Sequence, residues 1–480
     1  MRGGRSLVVL LALALGLGAY IYFIEAERDP SGTETLEQVF EVEEASAIDW
    51  MEVQTDTGEV TTLEKSGDDW RLVAPVTAPA DAPAASAIAD ALATIDIVAV
   101  LDENPTDLTQ YGLEPARATV AFRTAGVDTL HRLKIGNRTP TGSDIYAQVE
   151  GDPRLLLVAA YREDTLNRTT FELRDKRVLD FAREDVDRIT IEPASGPDVT
   201  LAREDGDWRL TEPTTARADF SPVDSLISRV DQARMSSIVN ESGEEPTAAE
   251  LRTFGLDRPR LVATFGAGSN QARLAIGGDA EAATVYARDL SRPLVFTVEE
   301  SLLTDLTRQP ADLRVKDVFD FTTFSATGLE VTFDGATRTF AKSAPPPDAA
   351  DADADGDADG EAADGDAADA TPASPPPAEV WSQTAPDPAA VNQTAMTDLL
   401  NTLSSLRADS FTERAPAVGQ TLEVVVRAGD AASPGEERVT LRKSGETAYA
   451  LVDGEPGAAV IPTADFDRAV DQLRALAGTE

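Results

Sequence analysis

The chain has no cysteine. That excludes disulfides, thiol catalysis, thiolate-ligated zinc, iron–sulfur clusters and a lipidated N-terminal cysteine. It has a single histidine, His131. A Ser-His-Asp triad or a multi-histidine metal site would have to rest on that residue alone. Positive charge is also scarce: 42 Lys and Arg stand against 85 Asp and Glu, a formal net charge of -43. A surface so poor in cations argues against binding nucleic acid or lying on an anionic bilayer. No Gly-x-Ser-x-Gly or His-Glu-x-x-His pattern occurs. The Gly-rich stretch IGNRTPTGSD, 135–144, lacks the lysine and spacing of a phosphate loop and reads as a hairpin turn. Apolar residues are not scarce. At 42% of 480 residues they suffice for two to four domains with buried cores.

One long apolar run is present. Ser6 to Ile24 carries no charge, follows Arg2 and Arg5, and precedes Glu25 and Glu27. At roughly 1.5 Å per residue it makes a helix of about 28 Å, enough for one hydrocarbon core. The flanking charges place residues 1–5 in the cytoplasm and the bulk of the chain outside, anchored in a membrane through residues 6–24. A cleaved signal peptide is the competing reading. The run is long for one, and it ends in the bulky YIYFI where small residues are needed.

The rest of the chain repeats itself. DDWRLVAPVTAPAD (68–81) matches GDWRLTEPTTARAD (206–219), and VWSQTAPDPAAVN (380–392) is a weaker third copy. YGLEPARATV recurs as FGLDRPRLVA, LKIGN as LAIGG, and IYAQVEGDPRLLLV as VYARDLSRPLVFTV. FELRDKRVLDF (171–181) recurs as ADLRVKDVFDF (311–321), each closing one unit and opening the next. The expected units are 39–177, 178–317 and 318–480, with a period of about 140 residues. The third lacks the Tyr/Phe-Gly-Leu turn. Within a unit, alternating stretches such as RITIEP and VTLARE predict half-buried strands. The spacing of Val223, Leu226, Ile227 and Val230, repeated by Leu399, Leu400, Leu403 and Leu406, predicts an amphipathic helix. Ser221 before Pro222 marks the start of the helix in the second unit. The predicted order is βββ-α-ββββ-α, an α+β fold with mostly antiparallel sheet. Residues 343–379 break the pattern. Their acidic, proline-flanked composition predicts a disordered loop inside the third unit.

Candidate chemistry is thin. Asp351, Asp353, Asp355 and Gly356 begin like a calcium loop, but position 12, which needs a bidentate Glu, is Ala362. Asp81 and Asp219 lie at one offset from their tryptophans, and Asn392 occupies that offset in the third unit. A general base or metal ligand would not survive Asp-to-Asn, whereas a helix N-cap accepts either. Glu114 and Asp257 read as solvated turn residues. His131 reads as a sheet residue without a repeated partner, and Trp70, Trp208 and Trp381 as core anchors. No catalytic, cofactor-binding or metal residue is assigned, and no cofactor is expected.

The membrane segment together with DWRLVAP, YGLEPARATV, LKIGN, YAQVEG and FELRDKRVLDF resembles the domain of unknown function 4340, over about residues 70–320. The resemblance implies a membrane-anchored exported bacterial protein, often encoded beside gliding-motility-type ABC transporter subunits. It thus implies a partner, an ABC transporter permease or ATPase subunit or another envelope protein, and not a reaction. The expected function is a non-enzymatic periplasmic accessory or scaffold. The alternatives are a periplasmic carboxylate-dependent hydrolase and a ligand-binding sensor domain.

Overall fold

The computed structural model describes residues 37–240, 244–343, 379–429 and 435–477. It divides into two compact units, one ending at Lys176 and the other beginning at Arg177. The first holds one nine-stranded sheet, and the second holds two more of the same order. The segment at 6–24, the bulk of the acidic loop and its calcium-like run lie outside the described residues. Among the described residues, no helix is long and apolar enough to cross a membrane.

In the first unit β1 (Ile48–Gln54), β2 (Val60–Ser66) and β3 (Asp69–Ala74) form a meander, extended by the two-residue β4 (Ala78–Pro79). Helix α1 (Ala82–Ala93) follows, and β5 (Ala99–Asp102) joins the far edge. A second meander comprises β6 (Ala118–Thr124), β7 (His131–Arg138), β8 (Asp144–Val149) and β9 (Leu155–Ala159). Helices α2 (Tyr161–Leu166) and α3 (Thr170–Leu173) close it. The order across the sheet is β4-β3-β2-β1-β6-β7-β8-β9-β5. Every neighbouring pair is antiparallel.

The second sheet contains β10 (Arg188–Pro193), β11 (Val199–Glu204), β12 (Asp207–Glu212) and β13 (Ala216–Arg217), then α4 (Phe220–Gln232) and β14 (Ser237–Asn240). After α5 (Ala248–Thr253) come β15 (Leu261–Ala267), β16 (Asn270–Asp279), β17 (Thr284–Asp289), β18 (Val295–Glu299) and α6 (Glu300–Leu306). The third contains β19 (Ala326–Phe333), β20 (Ala336–Ser343), β21 (Val380–Ala385) and β22 (Ala389–Ala390), then α7 (Gln393–Ser404) and β23 (Ser410–Thr412). It ends with β24 (Gln420–Ala428), β25 (Gly435–Ser444), β26 (Thr447–Val452), β27 (Ala458–Ile461) and α8 (Thr463–Ala477).

Each sheet therefore has two strands more than the alternation predicts. One, β4 and its counterparts, is two residues long and too short to show a period. The other, β5 and its counterparts, is an edge strand with little buried surface, so it carries no in-out pattern. The third repeat is complete in its strands. It lacks the Tyr/Phe-Gly-Leu turn. Ser343 pairs with Val380 across β20 and β21, so the residues between them connect two neighbouring strands.

One face of each sheet carries the main core. Alternate strand residues such as Leu133, Ile135, Ile145 and Ala147 point to the helix side. They meet Ile88, Ala89 and Leu92 of α1 there. Val223, Leu226, Ile227 and Val230 fill the same role in α4, as do Leu399, Leu400 and Leu403 in α7. Trp70, Trp208 and Trp381 are buried at corresponding points. A short entry segment precedes each sheet and pairs with the chain just beyond the first helix. Val39 N–H donates to Ile95 O (2.8 Å), Val178 N–H to Ala233 O (3.4 Å) and Val318 N–H to Leu406 O (3.0 Å). Gln38-Val39-Phe40 is thus the first copy of the RVL and DVF segments, a correspondence too short to read from sequence.

Candidate functional site

The repeated residues are spent on architecture. Asp81 Oδ1 accepts the Ala84 N–H (3.0 Å), Asp219 Oδ1 the Ser221 N–H (2.9 Å), and Asn392 Oδ1 those of Thr394 and Ala395 (3.0 and 3.1 Å). All three are N-caps, which explains why Asn serves in the third copy. In the second repeat Asp219 is the cap and α4 begins at Phe220, so Ser221 lies inside the first turn. Asp219→Ala should cost about 1 kcal/mol of stability in urea unfolding and Asp219→Asn a few tenths at most. An equal loss for both would remove the capping role.

Glu114 and Asp257 are exposed turn residues. His131 opens β7, with its ring stacked on Phe122 at 5.0 Å. The register places Ala272 opposite Phe265 where His131 stands opposite Phe122, so the histidine is not repeated. Residues 135–144 span the end of β7 and the turn into β8.

The Tyr/Phe-Gly-Leu turn has a role that sequence alone did not show. It plugs the sheet face opposite the helices. Gly112 and Gly255 adopt left-handed φ of 70° and 68°, which turns the chain back over that face. Tyr111 packs on Tyr146 (4.8 Å) and Phe254 on Tyr286 (4.7 Å). In the second repeat Leu256, Ala275 and Val295 form a small separate core beneath the turn. The IG pair beneath lets the turn approach. A Cβ on Gly136 would lie 2.2 Å from Tyr111 O, and one on Gly277 2.4 Å from Phe254 O. Three motifs that are far apart in sequence thus form one packing unit.

Charges around the turn differ between copies. In the first repeat Glu163 is buried and ion-paired with Arg117 and with Arg138 Nε (2.6 Å). In the second, Arg260 pairs with Asp279 (2.6 Å) instead. Arg260 follows its Gly-Leu turn as Arg117 does, and Asp279 follows its IG pair as Arg138 does. The position three residues before Leu306 is Leu303, matching Glu163 before Leu166.

What remains as a candidate site lies in the second compact unit, between its two sheets. A cleft of about 480 Å³ is lined by Asp205, Asp207, Trp208, Arg209, Arg217, Phe220, Asp317 and Asp320, among others. A second lobe of about 420 Å³ shares Arg209, Arg217 and Asp320 and adds Glu436, Glu437, Arg438, Asp453 and Glu455. Glu455 holds the floor: it pairs with Arg217 (3.3 Å) and Arg314 (3.1 Å), and it accepts the Arg217 backbone N–H (3.0 Å). The Arg314 guanidinium lies 3.9 Å from the centre of the Phe411 ring. Burial pulls Arg314 below its ordinary arginine value, against the opposing pull of Glu455. It remains a cation at any physiological pH. No residue of this cleft was read from sequence as part of a binding site. Arg314 and Arg217 belong to one repeat and Glu455 to the next, so no local motif unites them.

Among the described residues, the carboxylates whose pKa shifts clearly are Asp152, Glu172, Glu250 and Asp279. All four shift down, each held by a hydrogen-bonded arginine or threonine. That is opposite to the raised value of a general acid working at neutral pH. Among the described residues, no group of three or more metal-ligating side chains lies together.

No curated protein and no solved structure matches the chain. The model of the family described as domain of unknown function DUF4340 matches residues 70–207 and 208–424. The first match runs from Trp70 to the residue before Trp208, and the second from Trp208 past Trp381 into β24, whereas the structural repeat begins at the entry segment near Gln38. The first match thus covers about one period, offset from the folded repeat. The two segments together span well over half the chain, and the chain belongs to the DUF4340 family.

Proposed function

We propose that this protein is a membrane-anchored exported protein of the bacterial inner membrane, a non-enzymatic accessory or scaffold for an ABC-type transporter or another envelope assembly. The observation that carries the reading is where the repeated residues go. The caps and tryptophans recur in all three sheets, and the turns and IG pairs in the first two. A module repeated for its architecture suits a protein that presents surface to partners. The uncharged run at 6–24, with its flanking charges, supports the anchor. The cleft in the second compact unit favours a second reading, a ligand-binding sensor.

Affinity purification of the tagged full chain from cross-linked membranes tests the accessory role. ABC permease or ATPase subunits, or other envelope proteins, should be recovered with it. A chain that is purified reproducibly alone would overturn the proposal. Protease added to intact spheroplasts should digest the region beyond residue 26, and protection of that region would overturn the export claim.

A further inference from the structure

We propose that the two-lobed cleft in the second compact unit binds a basic peptide, an extended segment of a partner protein carrying lysine or arginine. Charge is the first ground. Its three wall arginines are already matched: Arg209 with Glu204 (3.5 Å), Arg217 with Glu455 (3.3 Å) and Arg438 with Glu436 (3.2 Å). Asp205, Asp207, Asp320 and Asp453 have no ion-pair partner among the described residues, and they line the two lobes. The walls therefore present a surplus of negative charge, which selects a cation. Among the described residues no three metal-ligating side chains lie together, so the dispersed carboxylates suit several spaced organic cations better than one tightly held ion.

Aromatic surface is the second ground. Phe220 lines the cleft and is 62% exposed, although it opens a helix whose other large apolar residues are buried. The corresponding first helical residues of the sister repeats are Ala82 and Gln393. The exposed ring is thus peculiar to the repeat that borders the cleft, and it offers a π face to a cation. Trp208 forms part of the same wall, and its buried Nε1–H has no acceptor among the described residues. Shape is the third ground. The lobes run together past Arg209, Arg217 and Asp320, an extent that fits a strand of several residues better than a single amine.

The inference rests on the accessory reading for the nature of the partner, but its test does not need that partner. Binding of a labelled ten-residue alternating lysine–alanine peptide to the detergent-solubilised full chain is measured by anisotropy. Spermidine and a glutamate-for-lysine peptide serve as competing ligands. The triple variant Asp205→Asn, Asp207→Asn and Asp320→Asn should weaken binding about tenfold or more. Asn suits the left-handed φ of 52° at residue 205, so this variant keeps its turn. The net charge of -43 attracts any cation, so a control removes as much charge elsewhere, by Asp69→Asn, Glu103→Gln and Glu281→Gln. It should change affinity by less than about twofold. Phe220→Ala should cost about threefold. Equal weakening by both triple variants, absence of saturable peptide binding, or spermidine binding as tightly as the peptide would each overturn the proposal. If peptide binding fails while membranes still yield a partner, the cleft assignment falls and the accessory reading stands.

Discussion

Glu163→Ala should destabilise the first compact unit by about 2 kcal/mol, because Arg117 and Arg138 lose the charged hydrogen bonds to their shared partner and keep only the weaker pairings with Asp56 and Asp164. Glu163 is buried, whereas Arg117 and Arg138 are only partly covered. The loss therefore comes mainly from the missing charged hydrogen bonds and the space left by the side chain, since water, Asp56 and Asp164 still reach the two guanidinium groups. The second repeat supplies the rescue. It satisfies the equivalent arginine, Arg260, directly through Asp279 and places Leu303 where Glu163 stands. Carrying that solution across, as Glu163→Leu with Arg138→Asp, should recover more than half of the loss. Urea unfolding gives the magnitude, and hydrogen exchange at β6 and β7 localises it. If the double variant is as unstable as Glu163→Ala, the charge-pairing account fails.

The exchange of partners between repeats also shows what could be read from sequence. Features confined to one short stretch were legible. The caps at Asp81, Asp219 and Asn392 sit directly before their helices, and the periodic faces of α4 and α7 lie within a few turns. The period itself was legible because Trp70, Trp208 and Trp381 anchor the same corner of each sheet. The nine-stranded order was not, because β4 and β5 are held by their neighbours rather than by a pattern of their own. Glu163 was not, since a lone Glu in a short helix looks like any solvated residue until Arg117 and Arg138 are folded onto it. The cleft was hidden for the same reason: Arg217, Arg314 and Glu455 meet only after two separate sheets have formed. The plug was seen as motifs and missed as an object. Its turn precedes β6, its IG pair lies on β7 and its tyrosine on β8, and they meet only across the sheet.

That plug leads to the second large effect. Gly136→Ala should cost about 3 kcal/mol, although the residue lies in a regular strand and alanine is otherwise acceptable there. The added Cβ would stand 2.2 Å from the carbonyl oxygen of Tyr111 and 3.0 Å from Leu113 Cγ. A backbone oxygen cannot swing aside as a side chain would, so either the turn lifts from the sheet or β7 bends. Lifting the turn also separates Tyr111 from Tyr146 and exposes Leu113. The third repeat provides the internal control. Ile135, Ile276 and Leu441 hold the same register against Ala118, Leu261 and Leu422, so Gly136, Gly277 and Arg442 are equivalent. No Tyr/Phe-Gly-Leu turn crosses the third sheet, and there the position carries a full arginine side chain, which donates to Pro416 O at 2.9 Å. Glycine is thus kept where the turn descends and absent where it does not. Arg442→Ala should cost only about 1 kcal/mol, the worth of that hydrogen bond. Thermal unfolding of the two variants side by side checks the contrast. Equal losses would show that the glycine answers a need of the strand itself, and the link between the turn and the IG pair would be lost.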